Sequence, residues 1–155
     1  MRILLINGPN LNTLGTRQPE IYGSQTLAGI EAAVAEQAAQ LGGEVRSFQS
    51  NHEGALIDFL QVEAADATAI IINAGAFGHY SIALRDALIA TRLPIVDVHI
   101  SNVYAREPFR HHSVIADIAV AQVSGLGWRG YVVATEALIQ NLRERMDIGA
   151  AGDRG

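Results

Sequence analysis

The chain has 155 residues, of which 49% are hydrophobic and 17% are charged, and its net charge is −5. This composition fits one well-packed globular domain, and the acidic balance weighs against a nucleic-acid partner, which would favour a basic face. Cysteine is absent and all 11 basic residues are arginine, so disulfides, thiol nucleophiles, lysine Schiff bases and lysine-dependent phosphate loops are excluded.

No run of roughly 18 or more apolar residues occurs, so the sequence predicts no membrane-spanning helix and no membrane partner. The N-terminus enters a predicted strand at once, without the charged segment and cleavage site of a signal peptide. We therefore expect a cytoplasmic protein.

Short apolar runs alternate with helical patterns along the chain. The strands are recognised by nearly continuous Ile and Val, and the helices by apolar residues three or four positions apart. In chain order the predicted elements are strand 2–7, a helix with Leu27, Ile30, Val34 and Leu41 on one stripe, strand 44–49, a helix through Leu56, Phe59 and Leu60, strand 68–73, helix 81–91, strand 95–101, strand 118–124 and helix 131–146.

Strands separated by helices imply right-handed crossovers and a parallel sheet. We expect a single α/β domain over residues 1–148, with a five-stranded parallel sheet in a flavodoxin-like, three-layer sandwich. Ser24 or Thr26 would cap the first helix, and Gly42-Gly43 would end it. Residues 149–155 are expected to form a disordered tail.

Polar residues collect at the ends of the predicted strands, where open parallel sheets bind their ligands. They are Asn7 and Asn10 after the first strand, His52 after the second, Asn73 and His79 after the third, and His99, Ser101, Arg106 and Arg110 at and after the fourth. Three of the five histidines belong to this set, which indicates a ligand site at this edge of the sheet.

Asp97, His99 and Ser101 alternate along the fourth strand and therefore point to one face. A carboxylate two residues from a histidine can orient the ring and raise its basicity. The alternative is a buried histidine bonded to the backbone, with Asp97 capping a neighbouring helix. We favour a functional pair, because three polar residues interrupt a strand rich in Val and Ile.

Other kinds of site find less support in the sequence. His79, His99 and Asp97 could supply three metal ligands, but no HExxH motif and no close ligand cluster accompanies them, so we expect no metal. No G-x-G-x-x-G motif follows the first strand, as a dinucleotide site would need, and no G-x-S-x-G nucleophile elbow occurs.

The loop NGPNLNTLGTRQPEIYG, residues 7–23, carries Arg17 and Tyr22. A nearby guanidinium favours the phenolate and lowers the pKa of a tyrosine, which is otherwise about 10. Arg17 and Tyr22 could therefore close over a ligand and deliver a base once water is excluded. The spacing is equally consistent with an ion pair between Arg17 and Glu20 and a Tyr22 that only packs.

Four segments of this chain resemble the successive signature blocks of type II 3-dehydroquinate dehydratases. They are INGPNLNTLGTRQPEIYG, QSNHEGALID, IIINAGAFGHYSIALRDAL and VDVHISNVYAREPFRHHSVIADIA, spread in the family's order from about residue 3 to residue 140. The resemblance implies an anti elimination of water from 3-dehydroquinate to 3-dehydroshikimate through an enolate, without metal or organic cofactor. Type I enzymes of this reaction use a lysine Schiff base, which a lysine-free chain cannot form.

The resemblance also implies roles for individual residues. In the implied catalytic set, Tyr22 is the base that removes a proton beside the ketone, and Arg17 is the lid cation that lowers the pKa of Tyr22. Asn10 holds a water that stabilises the enolate. His99 is the acid that protonates the departing hydroxyl, and Asp97 is the partner of His99. The substrate-binding set is Asn73, His79, Ser101, Arg110, the backbone amides near Ile100, and Asp86 from a neighbouring subunit. Family members are dodecamers built from trimers, so a homododecamer is expected.

Three positions depart from the family pattern. Gly78 and Tyr80 flank His79 where threonines are usual, which suggests a looser loop and adds a second phenol as a rival base. Asp97 is one methylene shorter than the usual glutamate, which suggests a weaker or water-mediated hold on His99. All three changes spare the two proposed proton-transfer residues.

Two alternatives remain open at the level of the sequence. One is a non-catalytic binder of polyhydroxy carboxylates. It would keep Asn73, Ser101 and Arg110 but would have no need for Arg17, Tyr22 and His99 together. The other is a dehydratase for a related cyclic hydroxy-ketone acid. A role in aromatic biosynthesis and a role in quinate breakdown are equally compatible with the sequence.

Overall fold

The computed structural model describes residues 1–16 and 24–152. Within these ranges the chain forms five strands and four α-helices, connected by loops that contain short 3₁₀ turns. The strands are β1 (Arg2–Asn7), β2 (Glu44–Gln49), β3 (Ala69–Asn73), β4 (Ile95–His99) and β5 (Ala121–Ser124). The helices are α1 (Leu27–Gln40), α2 (Glu53–Glu63), α3 (Ile82–Thr91) and α4 (Arg129–Gly152).

The five strands form one parallel sheet in the order β2-β1-β3-β4-β5. This is the flavodoxin-like order, so the predicted fold class is confirmed. Strands added after β1 lie on one side of it for β2 and on the other side for β3 to β5, so the strand order reverses between β1 and β3. These two strands end side by side at Asn7 and Asn73. Loops that leave two such strands turn to opposite faces of the sheet, and a crevice opens between them at the carboxyl edge.

Helices cover both faces of the sheet, because the side chains of each strand alternate between the faces. Ile3 and Leu5 of β1 pack in a core with α1 and α4, whereas Leu4 and Ile6 pack in a second core with α2 and α3. All four side chains are fully buried. The continuous apolar run of β1 therefore reflects burial on both faces, as predicted.

The structure shows which of the two predicted N-cap residues begins α1. The hydroxyl oxygen of Thr26 accepts a hydrogen bond from the N–H of Gly29 at 3.2 Å, so Thr26 is the N-cap. Ser81 caps α3 in the same way, 3.0 Å from the N–H of Leu84. Both helices thus begin where a hydroxyl satisfies a backbone donor that has no partner within the helix.

The fifth strand is shorter than predicted. It begins at Ala121 rather than at residue 118, because the N–H groups of Ile118 and Ala119 bond to the carbonyl of Ile115 at 3.0 and 3.1 Å and close a turn. The fourth strand likewise ends at His99, two residues before the predicted end. In both strands, the apolar run therefore extends beyond the residues that pair in the sheet.

Helix α4 is longer than predicted at both ends. It follows a turn in which Gly125 and Gly127 adopt φ angles of 85° and 61°, a conformation that favours glycine. Its backbone continues through residues 149–152, the first part of the segment that the sequence assigns to a disordered tail, while residues 153–155 lie outside the described ranges. In the part of the chain that the structure describes, no helix is both long enough and apolar enough to cross a membrane.

Candidate active site

A cavity of about 170 Å³ lies at the carboxyl edge of the sheet, where the loops after β1, β3 and β4 meet. An apolar cavity of about 150 Å³ can hold benzene, so this one has room for a substituted six-membered ring. Its lining consists of Pro9, Asn10, Leu11, Leu14, Asn73, Gly75, Ala76, His79, His99, Ile100, Ser101, Val103, Arg106 and Arg110. The expected site residues that the structure brings together here are Asn10, Asn73, His79, His99, Ile100, Ser101 and Arg110.

The other expected site residues do not line this cavity. Asp97 lies behind His99 and is fully buried. Asp86 is exposed on α3, so its role in the site of a neighbouring subunit stays a prediction. Arg17 and Tyr22 lie outside the described residues, and their roles stay predictions as well.

His99 and Asp97 form a buried pair at the end of β4. Their side chains contact each other directly, with 3.0 Å between His99 Nε2 and Asp97 Oδ2, and are 5% and 0% exposed. The same oxygen accepts hydrogen bonds from Ser113 Oγ at 3.3 Å and from Gln122 Nε2 at 3.0 Å. The shorter acid therefore reaches His99 without a bridging water, contrary to the water-mediated contact considered from the sequence.

This contact determines which nitrogen of His99 is available for chemistry. Nε2 faces a carboxylate, so it carries a proton and donates it in the hydrogen bond. A ligand in the cavity can then exchange a proton only with Nδ1. Asp97 holds the ring in place through this hydrogen bond.

His79 stands beside His99, with 6.2 Å between the ring centroids and 17° between the ring planes. Its Nδ1 donates a hydrogen bond to the carbonyl of His112 at 2.8 Å, which leaves Nε2 as an acceptor. Burial lowers the pKa of His79, and the positive charges of His99 and Arg110 act in the same direction, against the His112 carbonyl and Asp97. The neutral form of His79 is therefore suited to accept a hydrogen bond from a ligand.

A buried polar network lies beneath the floor of the cavity. The N–H of Gly75 donates to Asn73 Oδ1 at 3.1 Å, and Asn73 Nδ2 donates to the hydroxyl of Tyr131 at 2.8 Å. That hydroxyl donates to Asn7 Oδ1, also at 2.8 Å. Tyr131 comes from α4 and is fully buried, so the helix on one face of the sheet contacts two neighbouring strand ends.

Two arginines of the loop after β4 enter the cavity lining. Arg106 Nη1 donates to Ser101 Oγ at 3.4 Å, and Arg110 Nε donates to Glu107 at 2.9 Å. The pKa of Glu107 is lowered, first by its own backbone N–H and then by Arg110, so the carboxylate stays charged. Arg106 belongs to the polar residues that the sequence places after the fourth strand, but the family resemblance gave it no role in the site.

Asn10 is held in an unusual backbone conformation at the other side of the cavity. Its φ and ψ are 66° and −4°, in the left-handed region that asparagine tolerates better than most residues. Its N–H donates to Asn51 Oδ1 at 2.9 Å, and Gln49 Nε2 donates to the same oxygen at 3.1 Å. The end of β2 thus anchors the loop after β1, while the nearby His52 is exposed and does not line the cavity.

The two departures beside His79 have different surroundings. Gly78 is buried, and its carbonyl accepts a hydrogen bond from the N–H of Val114 at 2.8 Å, so backbone contacts hold the loop where a threonine is usual. Tyr80 is 63% exposed and lies edge-on against Phe77, outside the cavity lining. Its position gives no support to the idea of a rival base.

Over residues 1–16 and 24–152, no group of three or more His, Cys, Asp or Glu side chains is arranged to hold a metal ion. The cavity lining offers two histidines, one of them bonded to Asp97, two guanidinium groups and amide or hydroxyl side chains. Guanidinium groups are well matched to a carboxylate, and a histidine can donate or accept a proton near neutral pH. The cavity therefore suits a small, hydroxylated carboxylic acid.

Comparisons with known proteins agree with this geometry. A profile of the family "Dehydroquinase class II" matches residues 1–139. The 3-dehydroquinate dehydratase of Roseiflexus castenholzii is 61% identical over 139 residues, which cover 90% of this chain and 88% of that protein. The catabolic 3-dehydroquinase 1 of Neosartorya fischeri is 54% identical over 143 residues, 92% of this chain and 95% of the relative.

Solved structures give the same result at the level of the fold. The type II dehydroquinase from Butyrivibrio crossotus superposes with a TM-score of 0.86 at 44% identity, covering 89% of this chain and 97% of that one. The family resemblance detected in the sequence is thereby confirmed. This chain belongs to the class II dehydroquinase family, whose members are hydro-lyases.

Proposed function

We propose that this chain is a 3-dehydroquinate dehydratase, which removes water from 3-dehydroquinate to give 3-dehydroshikimate. The observation that carries the proposal is the buried His99–Asp97 pair in the wall of the cavity, since it supplies an acid for a departing hydroxyl. The names of the relatives support this choice of substrate. They include both a plain dehydratase and a catabolic enzyme, and the same reaction serves aromatic biosynthesis and quinate breakdown.

His99 is the general acid in this proposal. Because Nε2 is engaged by Asp97, the charged ring delivers its Nδ1 proton to the hydroxyl that leaves from C1 of the substrate. The C–O bond breaks with its electron pair on oxygen, and that oxygen takes the proton and departs as water. Asp97 keeps the ring oriented through its hydrogen bond with Nε2.

Tyr22 is the proposed base and Arg17 the cation that lowers its pKa. An anti elimination requires the base and the acid on opposite faces of the substrate ring. In this proposal, Tyr22 acts on the face of the substrate ring opposite the one that His99 faces, which meets this requirement. Asn10, which lines the same cavity, is proposed to hold the water that stabilises the enolate oxygen.

The remaining lining residues are proposed to bind the carboxylate and the ring hydroxyls. They are Asn73, His79, Ser101, Arg106, Arg110 and the backbone near Ile100. The two guanidinium groups match the carboxylate, and a neutral His79 accepts a hydrogen bond from a hydroxyl.

We also propose that the enzyme is a cytoplasmic homododecamer built from trimers, in which Asp86 of one chain completes the site of its neighbour. The resemblance to the family supports the assembly. Ile82, Asp86 and Ile89 lie on one exposed side of α3, with 58% exposure for Ile82 and 48% for Ile89.

The proposal is tested by mixing the purified protein with 3-dehydroquinate and following the ultraviolet absorbance of the conjugated enone product. Tyr22→Phe removes the proposed base and is expected to lower kcat by about 10²- to 10⁴-fold. Tyr80→Phe is the matched control, because it removes the hydroxyl of an exposed tyrosine outside the cavity lining.

Turnover by the wild type and by Tyr80→Phe, with a large loss in Tyr22→Phe, is the expected pattern. Equal turnover by Tyr22→Phe and the wild type would move the base to another residue. Binding of 3-dehydroquinate without any turnover by the wild type would overturn the enzyme proposal in favour of a binding protein. Turnover of a related hydroxy-ketone acid alone would change the substrate.

A further inference from the structure

The hydroxyl of Tyr131 sits between Asn7 and Asn73, 2.8 Å from an atom of each. These two asparagines are register neighbours at the ends of β1 and β3. Only Asn73 lines the cavity, whereas Tyr131 lies beneath it on α4 and is fully buried. The tyrosine therefore lies outside the cavity lining but bonds to a residue that belongs to it.

The direction of every hydrogen bond in this network follows from one backbone group. The N–H of Gly75 can only donate, and it donates to Asn73 Oδ1 at 3.1 Å. The amide of Asn73 is therefore oriented with Nδ2 toward Tyr131, whose oxygen accepts. The single proton of the hydroxyl is then free to go to Asn7 Oδ1.

The network keeps this direction across the working pH range. Burial raises the pKa of Tyr131 far above its ordinary value, outweighing the opposite effect of the hydrogen bond from Asn73. The hydroxyl consequently remains a donor to Asn7. Asn7 Nδ2, in contrast, is buried without a hydrogen-bond partner among the described residues, so Asn7 contributes to the network only through its oxygen.

From this arrangement we infer that Tyr131 is a positioning residue for substrate binding, because it fixes the Asn73 amide with one N–H left to donate into the cavity. Asn73 then offers a ligand the second N–H of its amide, while its oxygen accepts from Gly75. Such a group selects an oxygen that accepts, as in a carboxylate or a ring hydroxyl. The inference rests on the proposed function for the identity of the ligand.

The test is a double-mutant cycle of Tyr131→Phe and Asn73→Ala, assayed for kcat and KM with 3-dehydroquinate. Tyr131→Phe leaves Asn73 without its acceptor, and we expect KM to rise roughly tenfold while kcat changes by less than about threefold. In the Asn73→Ala background the same change should leave KM unaltered, because the residue through which Tyr131 acts is gone.

Two further variants separate positioning from a general loss of structure. Thr135→Val removes a buried hydrogen bond one turn along the same helix, from Thr135 Oγ1 to the carbonyl of Tyr131 at 2.7 Å, and should leave KM unchanged. Asn7→Ala removes the other partner of the hydroxyl but keeps the acceptor for Asn73. It should lower the melting temperature and leave KM unchanged.

A KM that rises equally in Tyr131→Phe and Thr135→Val, or effects of Tyr131→Phe and Asn73→Ala that multiply, would overturn the inference. If Tyr131→Phe does not fold, Asn7→Ala decides: an unchanged KM supports the inference and a raised KM overturns it. Failure of the wild type to turn over 3-dehydroquinate would instead contradict the proposed function, so the two failures are distinguishable.

Discussion

Gly8 and Gly78 flank the cavity, but the space around their Cα atoms differs. A Cβ on Gly8 would lie 2.1 Å from the carbonyl oxygen of Ala74. The N–H of Gly8 bonds to the carbonyl of Asn73 at 2.8 Å, so the two backbones cannot separate without losing that bond. A Cβ on Gly78 would meet its nearest neighbours, Ala74 Cβ and His99 Cε1, at 3.5 and 4.0 Å, which are ordinary contacts.

We predict opposite effects of alanine at these two positions. Gly8→Ala should lower the free energy of unfolding by about 3 kcal/mol, because the added methyl overlaps backbone atoms. Gly78→Ala should raise it by about 0.5 kcal/mol, because alanine restricts the unfolded chain, and should keep the wild-type turnover. Denaturant unfolding at one fixed protein concentration measures both, and similar losses in the two variants would contradict the prediction.

At the scale of elements, the short edge strand β5 supports β4 through side chains in register. Gln122 is paired with Asp97 and Ser124 with His99. Gln122 Nε2 donates to Asp97 Oδ2 at 3.0 Å, and Ser124 Oγ donates to the carbonyl of Ser101 at 3.1 Å. Because Asp97 Oδ1 has no hydrogen-bond partner among the described residues, the carboxylate is held in place by the donors that reach Oδ2.

We expect Gln122→Leu to lower kcat by about threefold to tenfold, since it removes one of those donors and loosens the carboxylate that orients His99. Gln140→Leu is the matched control, because Gln140 is an exposed glutamine of α4 that contacts Glu136. Steady-state assays of both variants check the prediction. An equal change in kcat for the two glutamines would show that the support from β5 has no effect on the chemistry.

At the scale of the whole molecule, α3 has one face that the single chain does not cover. Ile82, Asp86 and Ile89 are separated by four and three positions and so share one side of the helix. All three are exposed, and Tyr80 just before the helix is 63% exposed. An apolar face that carries one acid fits the proposed contact with a neighbouring chain.

The proposed assembly predicts a particle of twelve chains of 16.6 kDa, about 199 kDa in all. It also predicts complementation between two weakened variants, Tyr22→Phe and Asp86→Ala. In a 1:1 mixture refolded together, roughly one half times one half, or about a quarter, of the sites combine an intact Tyr22 with an intact Asp86 from the neighbour.

Light scattering measures the mass, and turnover of the mixture measures complementation. Mixing the two variants after separate refolding is the control, because subunits that do not exchange restore nothing. If the co-refolded mixture has only the mean activity of its two components, Asp86 does not act across a subunit boundary.

Much of the fold was predictable from the sequence, because burial on both faces leaves a clear pattern of residues. The bounds of β1 and β2 were predicted as observed, and the hydroxyl of Thr26 marked the start of α1. The end of β4 and the start of β5 were not, because Ile and Val continue beyond the residues that pair in the sheet. An apolar side chain records burial rather than backbone hydrogen bonding.

The sequence by itself determined the fold class, the family, and the residues that gather at the carboxyl edge of the sheet, because strand periodicity and local motifs are properties of neighbouring residues. Only the tertiary structure decided which long-range partners those residues have. Tyr131 lies 58 residues from Asn73, and Gln122 lies 25 residues from Asp97. No local pattern relates such pairs, since packing and strand register bring them together.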